Sequence, residues 1–347
     1  MNGQERIREL VKTSLTDGTI KYFLGFERGS DAFKARPLFV RKPEDASRVI
    51  WDPICVNNMV TYLIDEWKKV LKRGEEPDTR PVGIMVKGCD SRSLALLIQE
   101  HIVTRDQVYV VGVPCQGVVD TKKMREAWRK EVLPPESALD MEFKISDGKI
   151  VGTWNDTSIE FSMEDVLMEK CKVCRYPNPV IHDELIGEEV APKTDTYKDV
   201  EDLEHMSVSE RWELWKEDMI KCVRCYACRN VCPACYCKEC SIVRTDPTYG
   251  PRATPQEKTC KPQWLDKTPT VSDNLNFHMS RMYHLMGRCT NCGECDRVCP
   301  VSIPLRRITR KMEKDTREIF DFEPGITTEP RNLLAEYKED DPGGFIR

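Results

Sequence analysis

Apolar positions along the first half of the chain recur with two alternating periods. Between residues 4 and 15, Ile7, Leu10 and Val11 fall three and four positions apart, which predicts a short amphipathic helix. Tyr22-Phe23-Leu24 and Pro37-Leu38-Phe39-Val40 are short apolar runs of strand type. Asn57 and Asn58 stand where a helix cap belongs, ahead of Val60, Leu63, Ile64 and Trp67 on one face. Val82-Gly83-Ile84-Met85-Val86 predicts a buried strand, Lys87-Gly88-Cys89-Asp90-Ser91 a turn, and 92–101 a helix with Leu94, Leu97 and Ile98 inward. A second strand follows at Val108–Val113 and ends in Pro114-Cys115-Gln116-Gly117. Two almost continuously apolar strands joined through a helix indicate a parallel α/β unit.

Residues 141–161 alternate as two strands around Asp147-Gly148, a hairpin signature. The next helix carries Val166, Leu167 and Met168 and runs into Cys171-x-x-Cys174. From 178 to 205 the chain holds nine acidic residues against Lys193 and Lys198, with Pro179 and Pro192, so a linker or surface arm is expected. Beyond it the pattern turns helical. Ser209 heads a helix with Trp212, Leu214, Trp215 and Met219; Ser272 heads another that stops at Gly287; a third, around 304–318, starts with Arg306, Arg307, Arg310 and Lys311. The expected organisation is an α/β domain with a partly parallel sheet at 1–177, the acidic linker at 178–208, an all-helical domain at 209–318 and a polar arm at 319–347.

Composition narrows the class. Of 347 residues, 40% are hydrophobic and 32% charged, ordinary for a soluble protein. No apolar run approaches a membrane span, and MNGQERIREL lacks the apolar core of a signal peptide. A net charge of -5 gives no reason to expect nucleic acid as a partner. Seventeen cysteines without a secretory signal argue for metal or redox use in a reducing compartment, so a cytoplasmic, oxygen-avoiding setting is expected.

The cysteines supply the chemistry. Cys222-x-x-Cys225-x-x-Cys228-x-x-x-Cys232-Pro233 and Cys289-x-x-Cys292-x-x-Cys295-x-x-x-Cys299-Pro300 are two copies of the bacterial ferredoxin run. In that run three thiolates hold one cubane and the fourth, before proline, ligates the neighbouring cluster. Cys222, Cys225, Cys228 and Cys299 are therefore assigned to one [4Fe-4S] cluster, and Cys289, Cys292, Cys295 and Cys232 to the other. A zinc site needs four ligands and has no use for eight interleaved ones.

Cys89 and Cys115 each follow a predicted parallel strand, at the carboxyl edge where open α/β sheets place ligands. With Cys171 and Cys174 they form a candidate third [4Fe-4S] site; the plainer reading makes Cys89 and Cys115 small buried residues and the later pair a zinc ligand or inert. Cys55, Cys235, Cys237, Cys240 and Cys260 remain, either as a further metal site or as packing thiols around the clusters. His278 and His284, on the helix leading to Cys289, either tune a cluster or are structural. The basic stretch 306–311 is read as a solvated helix face offsetting negative clusters rather than a nucleic-acid surface. There is no Gly-x-Gly-x-x-Gly run after a strand and no Walker loop, and Gly112-x-x-x-x-Gly117 is a weak phosphate signal.

Three segments together carry a family resemblance: Gly88-Cys89-Asp90-Ser91-Arg92-Ser93-Leu94, Val111-Gly112-Val113-Pro114-Cys115-Gln116-Gly117, and Lys170-Cys171-Lys172-Val173-Cys174 followed by Asp183-Glu184-Leu185-Ile186-Gly187. In this order they resemble the beta subunits of deazaflavin-coenzyme-reducing hydrogenases and formate dehydrogenases. The resemblance covers roughly 80–190 and implies a domain holding a [4Fe-4S] cluster and, in many members, FAD. The chain departs from that layout by placing its ferredoxin pair afterwards. Arg281-x-x-His284 leading into Arg288-Cys289 is similar to iron–sulfur subunits of heterodisulfide-reductase-like and sulfite-reductase-like complexes.

The function expected is an electron-transfer subunit of an anaerobic oxidoreductase complex, relaying single electrons between a flavin or catalytic partner and another redox subunit. The partners expected are a flavoprotein, a heterodisulfide-reductase-like protein, a hydrogenase or a formate dehydrogenase. A rival reading makes the chain a flavin-dependent dehydrogenase subunit, with FAD at the 88–117 edge splitting hydrides from a reduced deazaflavin or nicotinamide into single electrons. A third class, a metal-stabilised binding module, predicts zinc and salt-sensitive affinity for nucleic acid.

Overall fold

Helix α1 (Gly3–Thr16) buries Ile7 and Val11, the stripe its sequence spacing predicts. The structure, a computed structural model, describes residues 3–68, 73–74, 76–128, 141–237, 240, 242, 268–329 and 333. The chain divides into two units. The first comprises Met1–Thr196 with Thr290–Cys292 and Pro324–Glu336, and the second includes Tyr197–Cys289 and Gly293–Glu323.

After α1 the first unit runs through β1 (Tyr22–Arg28), β2 (Ala35–Val40), α2 (Thr61–Lys68), β3 (Val82–Val86), α3 (Gly88–Gln99), β4 (Val108–Gly112) and α4 (Thr121–Trp128). It continues with β5 (Glu142–Ser146), β6 (Lys149–Trp154), β7 (Thr157–Ser162), α5 (Met163–Val166), α6 (Glu169–Lys172) and β8 (Glu184–Leu185). The main sheet has the order β2-β1-β3-β4-β8. Its β1–β2 pair is antiparallel, while β1–β3, β3–β4 and β4–β8 are parallel, giving the partly parallel sheet the sequence implies. Every residue of β3 is buried, as expected of a parallel strand flanked on both sides. Both β3 and β4 discharge their chains at the same carboxyl edge, at Lys87-Gly88-Cys89 and Val113–Gly117.

Two local expectations change. The turn expected at 87–91 is already helix, because Asp90 sits in the first turn of α3 and its Oδ2 accepts from the Lys87 N–H at 3.3 Å. The hairpin at 141–161 gains a third antiparallel strand, since Asn155 takes a left-handed conformation (φ 50) and turns the chain back into β7. Ile159 and Phe161 then supply the inward positions of that strand.

The acidic stretch divides between the units. Residues 178–196 are folded into the first, where β8 pairs with β4 and the Ile186 N–H donates to the Gly112 carbonyl at 2.9 Å. Residues 198–205 form helix α7 of the second unit (Lys198–His205).

The second unit continues with α8 (Val208–Ile220), α9 (Ala227–Asn230), α10 (Val271–Leu285), α11 (Glu294–Val298) and α12 (Arg306–Phe320). The cap of α8 is Ser207 rather than Ser209, with Glu210 returning the bond to the Ser207 N–H, and that of α10 is Thr270 rather than Ser272. Met219, Phe277, Met282, Ile303, Leu305 and Ile308 form its core. The basic start of α12 is not a solvated face. Arg306 and Arg310 are buried, and the Arg310 guanidinium clasps Asp199 with Nε–Oδ2 at 2.5 Å and Nη2–Oδ1 at 2.7 Å while stacking 4.9 Å from the Tyr197 ring. This fork-on-carboxylate pairing ties α7 to α12. Among the described residues no helix is long and apolar enough to cross a membrane.

At the sheet edge, packing admits no side chain on residue 88. A Cβ there would stand 1.9 Å from the Tyr176 carbonyl oxygen. Gly88→Ala is therefore expected to cost about 1–3 kcal/mol through forced backbone displacement, read as a lower urea midpoint; an unchanged midpoint would contradict this packing.

Candidate cluster sites

In the second unit, Cys222 follows α8, Cys225 lies in the loop after it, Cys228 sits on α9 and Cys299 closes α11. These four thiols line one hollow, together with Phe277, His278, Ile303 and Leu305. The turn that gathers them needs unusual backbone. Arg224 (φ 52) and Tyr226 (φ 61) are both left-handed, and the corresponding residues of the second string, Asn291 (φ 56) and Gly293 (φ 70), are left-handed too. Holding two bulky residues in that region costs energy that the site must return. The Ile303 N–H points at Cys299 Sγ at 3.3 Å, the type of amide–sulfur contact that stabilises a thiolate ligand. His278 Nε2 lies 3.4 Å from Cys222 Sγ, and burial, then the charges of Arg281 and Arg224, push its pKa down to about 4. Its imidazole is accordingly neutral near pH 7.

Of the other set, Cys289 follows the end of α10, Cys232 follows α9 and Cys295 sits on α11. Cys292 belongs to the segment grouped with the first unit. Cys232 and Cys235 share a side-chain hydrogen bond, which with burial pushes the Cys232 thiol up. Arg281, which sequence reasoning noted only within a motif, lies in electrostatic reach of Cys232, Cys295, Cys235 and Cys228. It is 3% exposed.

In the first unit Cys89, Cys115, Cys171 and Cys174 come together. Burial raises the Cys89, Cys115 and Cys174 thiols, and their neighbours add to it: Cys171 and Cys89 act on Cys115, Cys171 on Cys174, and Cys174 on Cys89. Three lysines that the sequence did not single out surround them. Lys87 is buried, with Nζ 2.7 Å from Asp90 Oδ2 and 2.8 Å from the Asn57 carbonyl. Lys170 Nζ lies 3.9 Å from Cys89 Sγ, and Lys193 Nζ donates to the Cys171 carbonyl at 2.7 Å. Such cations offset negative charge gathered in a low-dielectric place.

The described cysteines are all free thiols. Among the described residues no three His, Cys, Asp or Glu side chains stand as close as the ligands of a single ion do. Four cysteines from two strings around one hollow are the donor set that a four-iron cubane takes, one thiolate to each iron. Of the remaining cysteines, Cys55 is fully buried with Sγ 3.9 Å from the Ile50 carbonyl, a packing position. Cys235, Cys237 and Cys240 line a second hollow with Arg229, Arg281 and Arg288. Cys260 lies outside the described residues.

Beside the Cys115-Gln116-Gly117 turn opens a cleft of about 680 Å³, bordered also by Arg28, Asp52 and Phe143. Arg28 Nη2 and Asp52 Oδ2 are 3.1 Å apart, and the buried Arg28 Nη1 has no hydrogen-bond partner. Burial raises the Asp52 carboxyl despite the arginine.

Comparison with known proteins agrees with this layout. The F420-dependent formate dehydrogenase 1 subunit beta of Methanococcus maripaludis is 25% identical over 95% of this chain and 92% of its own length. The F420-dependent formate dehydrogenase subunit beta of Methanocaldococcus jannaschii is 23% identical over 91% and 89%. A chain of the F420-reducing [NiFe] hydrogenase complex from Methanosarcina barkeri superposes on 50% of this chain and 59% of its own, with a TM-score of 0.38 and 16% identity. Residues 79–187 match the family described as the C terminus of the Coenzyme F420 hydrogenase/dehydrogenase beta subunit, and residues 218–303 match a 4Fe-4S dicluster domain. The Gly88, Pro114-Cys115 and Cys171-x-x-Cys174 segments lie within the stretch that matches the first family, and both ferredoxin strings lie within the stretch that matches the second.

Proposed function

We propose that this chain is an iron–sulfur electron-transfer subunit of an anaerobic oxidoreductase complex. The observation that carries the proposal is the hollow in which Cys222, Cys225 and Cys228 of one string meet Cys299 of the other. That interleaving is what a pair of neighbouring cubanes requires and what a zinc knuckle does not. Clusters of this kind, when bound, take up and release single electrons. The residues of the chain hold them, shield them and tune them. Cys222, Cys225, Cys228 and Cys299 would hold one [4Fe-4S] cluster, and Cys289, Cys292, Cys295 and Cys232 the other, within a helical dicluster domain.

Cys89, Cys115, Cys171 and Cys174 would hold a third, with Lys87, Lys170 and Lys193 offsetting its charge. The α/β domain would face a flavin-bearing or catalytic partner and the dicluster domain another redox subunit, in the cytoplasm. The names of the relatives, subunits of formate dehydrogenases, support partners of this type.

A second reading is favoured by the cleft beside Cys115. Its volume suits a cofactor-sized ligand, and its buried, unpartnered Arg28 Nη1 awaits an acceptor. On that reading FAD sits beside the third cluster, and the chain itself oxidises a reduced deazaflavin or nicotinamide.

Anaerobic analysis of iron, sulfide, zinc and flavin in the purified chain separates these cases. About twelve irons per chain are expected, about eight would remove the third site, and zinc in place of iron would overturn the proposal, at four irons per cubane. A stoichiometric flavin would select the second reading. Cys299→Ala is expected to damage the cluster built on Cys222 although it lies in the other string. Spectroscopy in which only the Cys289 cluster changed would show the interleaved assignment to be wrong.

A further inference from the structure

Of the cysteines in the two ferredoxin strings, Cys292 is the one grouped with the first unit, in the segment Thr290–Cys292. The contacts that hold this segment come from helices α3 and α6, beside the third sulfur site. Lys170 of α6 is buried. Its Nζ donates to the Cys292 carbonyl and lies 3.9 Å from Cys89 Sγ. One ammonium thus touches a ligand residue of the third site and a ligand residue of the Cys289 set.

A second line of contacts reinforces the first. Ser93 Oγ donates to the Cys89 carbonyl at 3.1 Å and accepts from Asn58 Nδ2 at 3.0 Å. A hydroxyl has one proton to give, so at the 2.9 Å contact between Ser93 Oγ and Thr290 Oγ1 the threonine is the donor. Arg92, also buried, donates from Nη1 to the Thr290 carbonyl at 3.5 Å and from Nη2 to the Pro324 carbonyl at 2.9 Å, and stacks 4.4 Å from the Tyr176 ring. Two cations taken out of water are costly unless their partners are fixed, and here the partners include both ends of one three-residue segment. That segment of the second ferredoxin string is thereby fastened to the helix that carries Cys89.

We infer that Lys170 is the crossing between the third site and the ferredoxin pair, joining Cys89 to Cys292, so that the Cys289 cluster and not the Cys222 cluster is the neighbour of the third. This rests on the reading of the chain as an electron carrier with three clusters. An electron on such a cluster is shared with its cysteine ligands, and a donor bonded to two ligand residues offers a short path between them. The transfer is of one electron: the site that gives it is oxidised by one, the site that takes it is reduced by one, and Lys170 keeps its proton throughout. Its cation stabilises the added negative charge on either side. The Cys222 cluster then follows the Cys289 cluster in the wire.

The test is EPR spectroscopy of the full chain, reconstituted anaerobically and fully reduced, with iron and sulfide counted in each sample. Reduced clusters that are neighbours split each other's signals. Splitting of the third cluster's signal is expected to survive in Cys299→Ala, which loses the Cys222 cluster, and to vanish in Cys289→Ala. Splitting lost in Cys299→Ala, or kept in Cys289→Ala, would overturn the inference. A redox titration of Lys170→Met is the second readout. The reduction equilibria of the third and Cys289 clusters are expected to shift about tenfold toward the oxidised form, with the Cys222 cluster unmoved and Lys170→Arg close to wild type. Should a cysteine variant fail to load, a fully loaded Lys170→Met in which only the third cluster shifts, or none does, would overturn the inference instead. About eight irons in the wild-type protein would overturn it together with the third site and leave the ferredoxin pair an electron carrier, at four irons per cubane. Zinc in place of iron would overturn that reading as well.

Discussion

Gathering sulfur charge out of water is the constraint on which this architecture turns. A thiolate is stable in a buried place only where cations, amide donors or metal compensate it. Where the described cysteines converge, nitrogen side chains stand beside them. Lys87, Lys170 and Lys193 surround the thiols of the first unit, and Arg281 stands among those of the second. The secondary structure serves that end. In the first unit, strands deliver Cys89 and Cys115 to one sheet edge. In the second, short helices and left-handed turns fold each cysteine string upon itself.

Much of this was legible from residue order. The runs at 82–86 and 108–113 are apolar on both faces, and only a parallel, doubly covered strand uses such a run, so the sheet could be read directly. The ferredoxin strings are legible because ligand spacing is dictated by the geometry of the metal group rather than by the rest of the fold. The gathering of Cys171 and Cys174 with Cys89 and Cys115 was readable only as one of two alternatives, strengthened by the resemblance, since contacts across some eighty residues leave no periodic trace.

What escaped was tertiary. Arg306 and Arg310 read as part of a solvated basic face because a charge run usually is one; Arg310 is instead buried against Asp199 and Tyr197, more than a hundred positions away. Arg281 looks like any helical arginine until its surroundings are known. The edge strand β8 hid within an acidic stretch, being two residues long and recognisable only by its pairing with β4. Thr270 and Ser207 were missed as caps because serines at 209 and 272 offered equally good local chemistry; the capping bonds run from the Glu210 N–H to Ser207 and from the Asp273 N–H to Thr270.

The interleaved hollow also has a consequence for how the molecule is made. Its first three sulfurs leave the ribosome with Cys228, but its fourth wall, Cys299, arrives only after α10 and α11 have been synthesised. Until then the hollow stands open on one side, its sulfurs exposed to oxidation and to stray metals. Helix α10, docked through Asn274 onto the end of α8, is in a position to cover those sulfurs before the last one comes. The order of residues along the chain thus delays completion of the ligand set until the second string has been made.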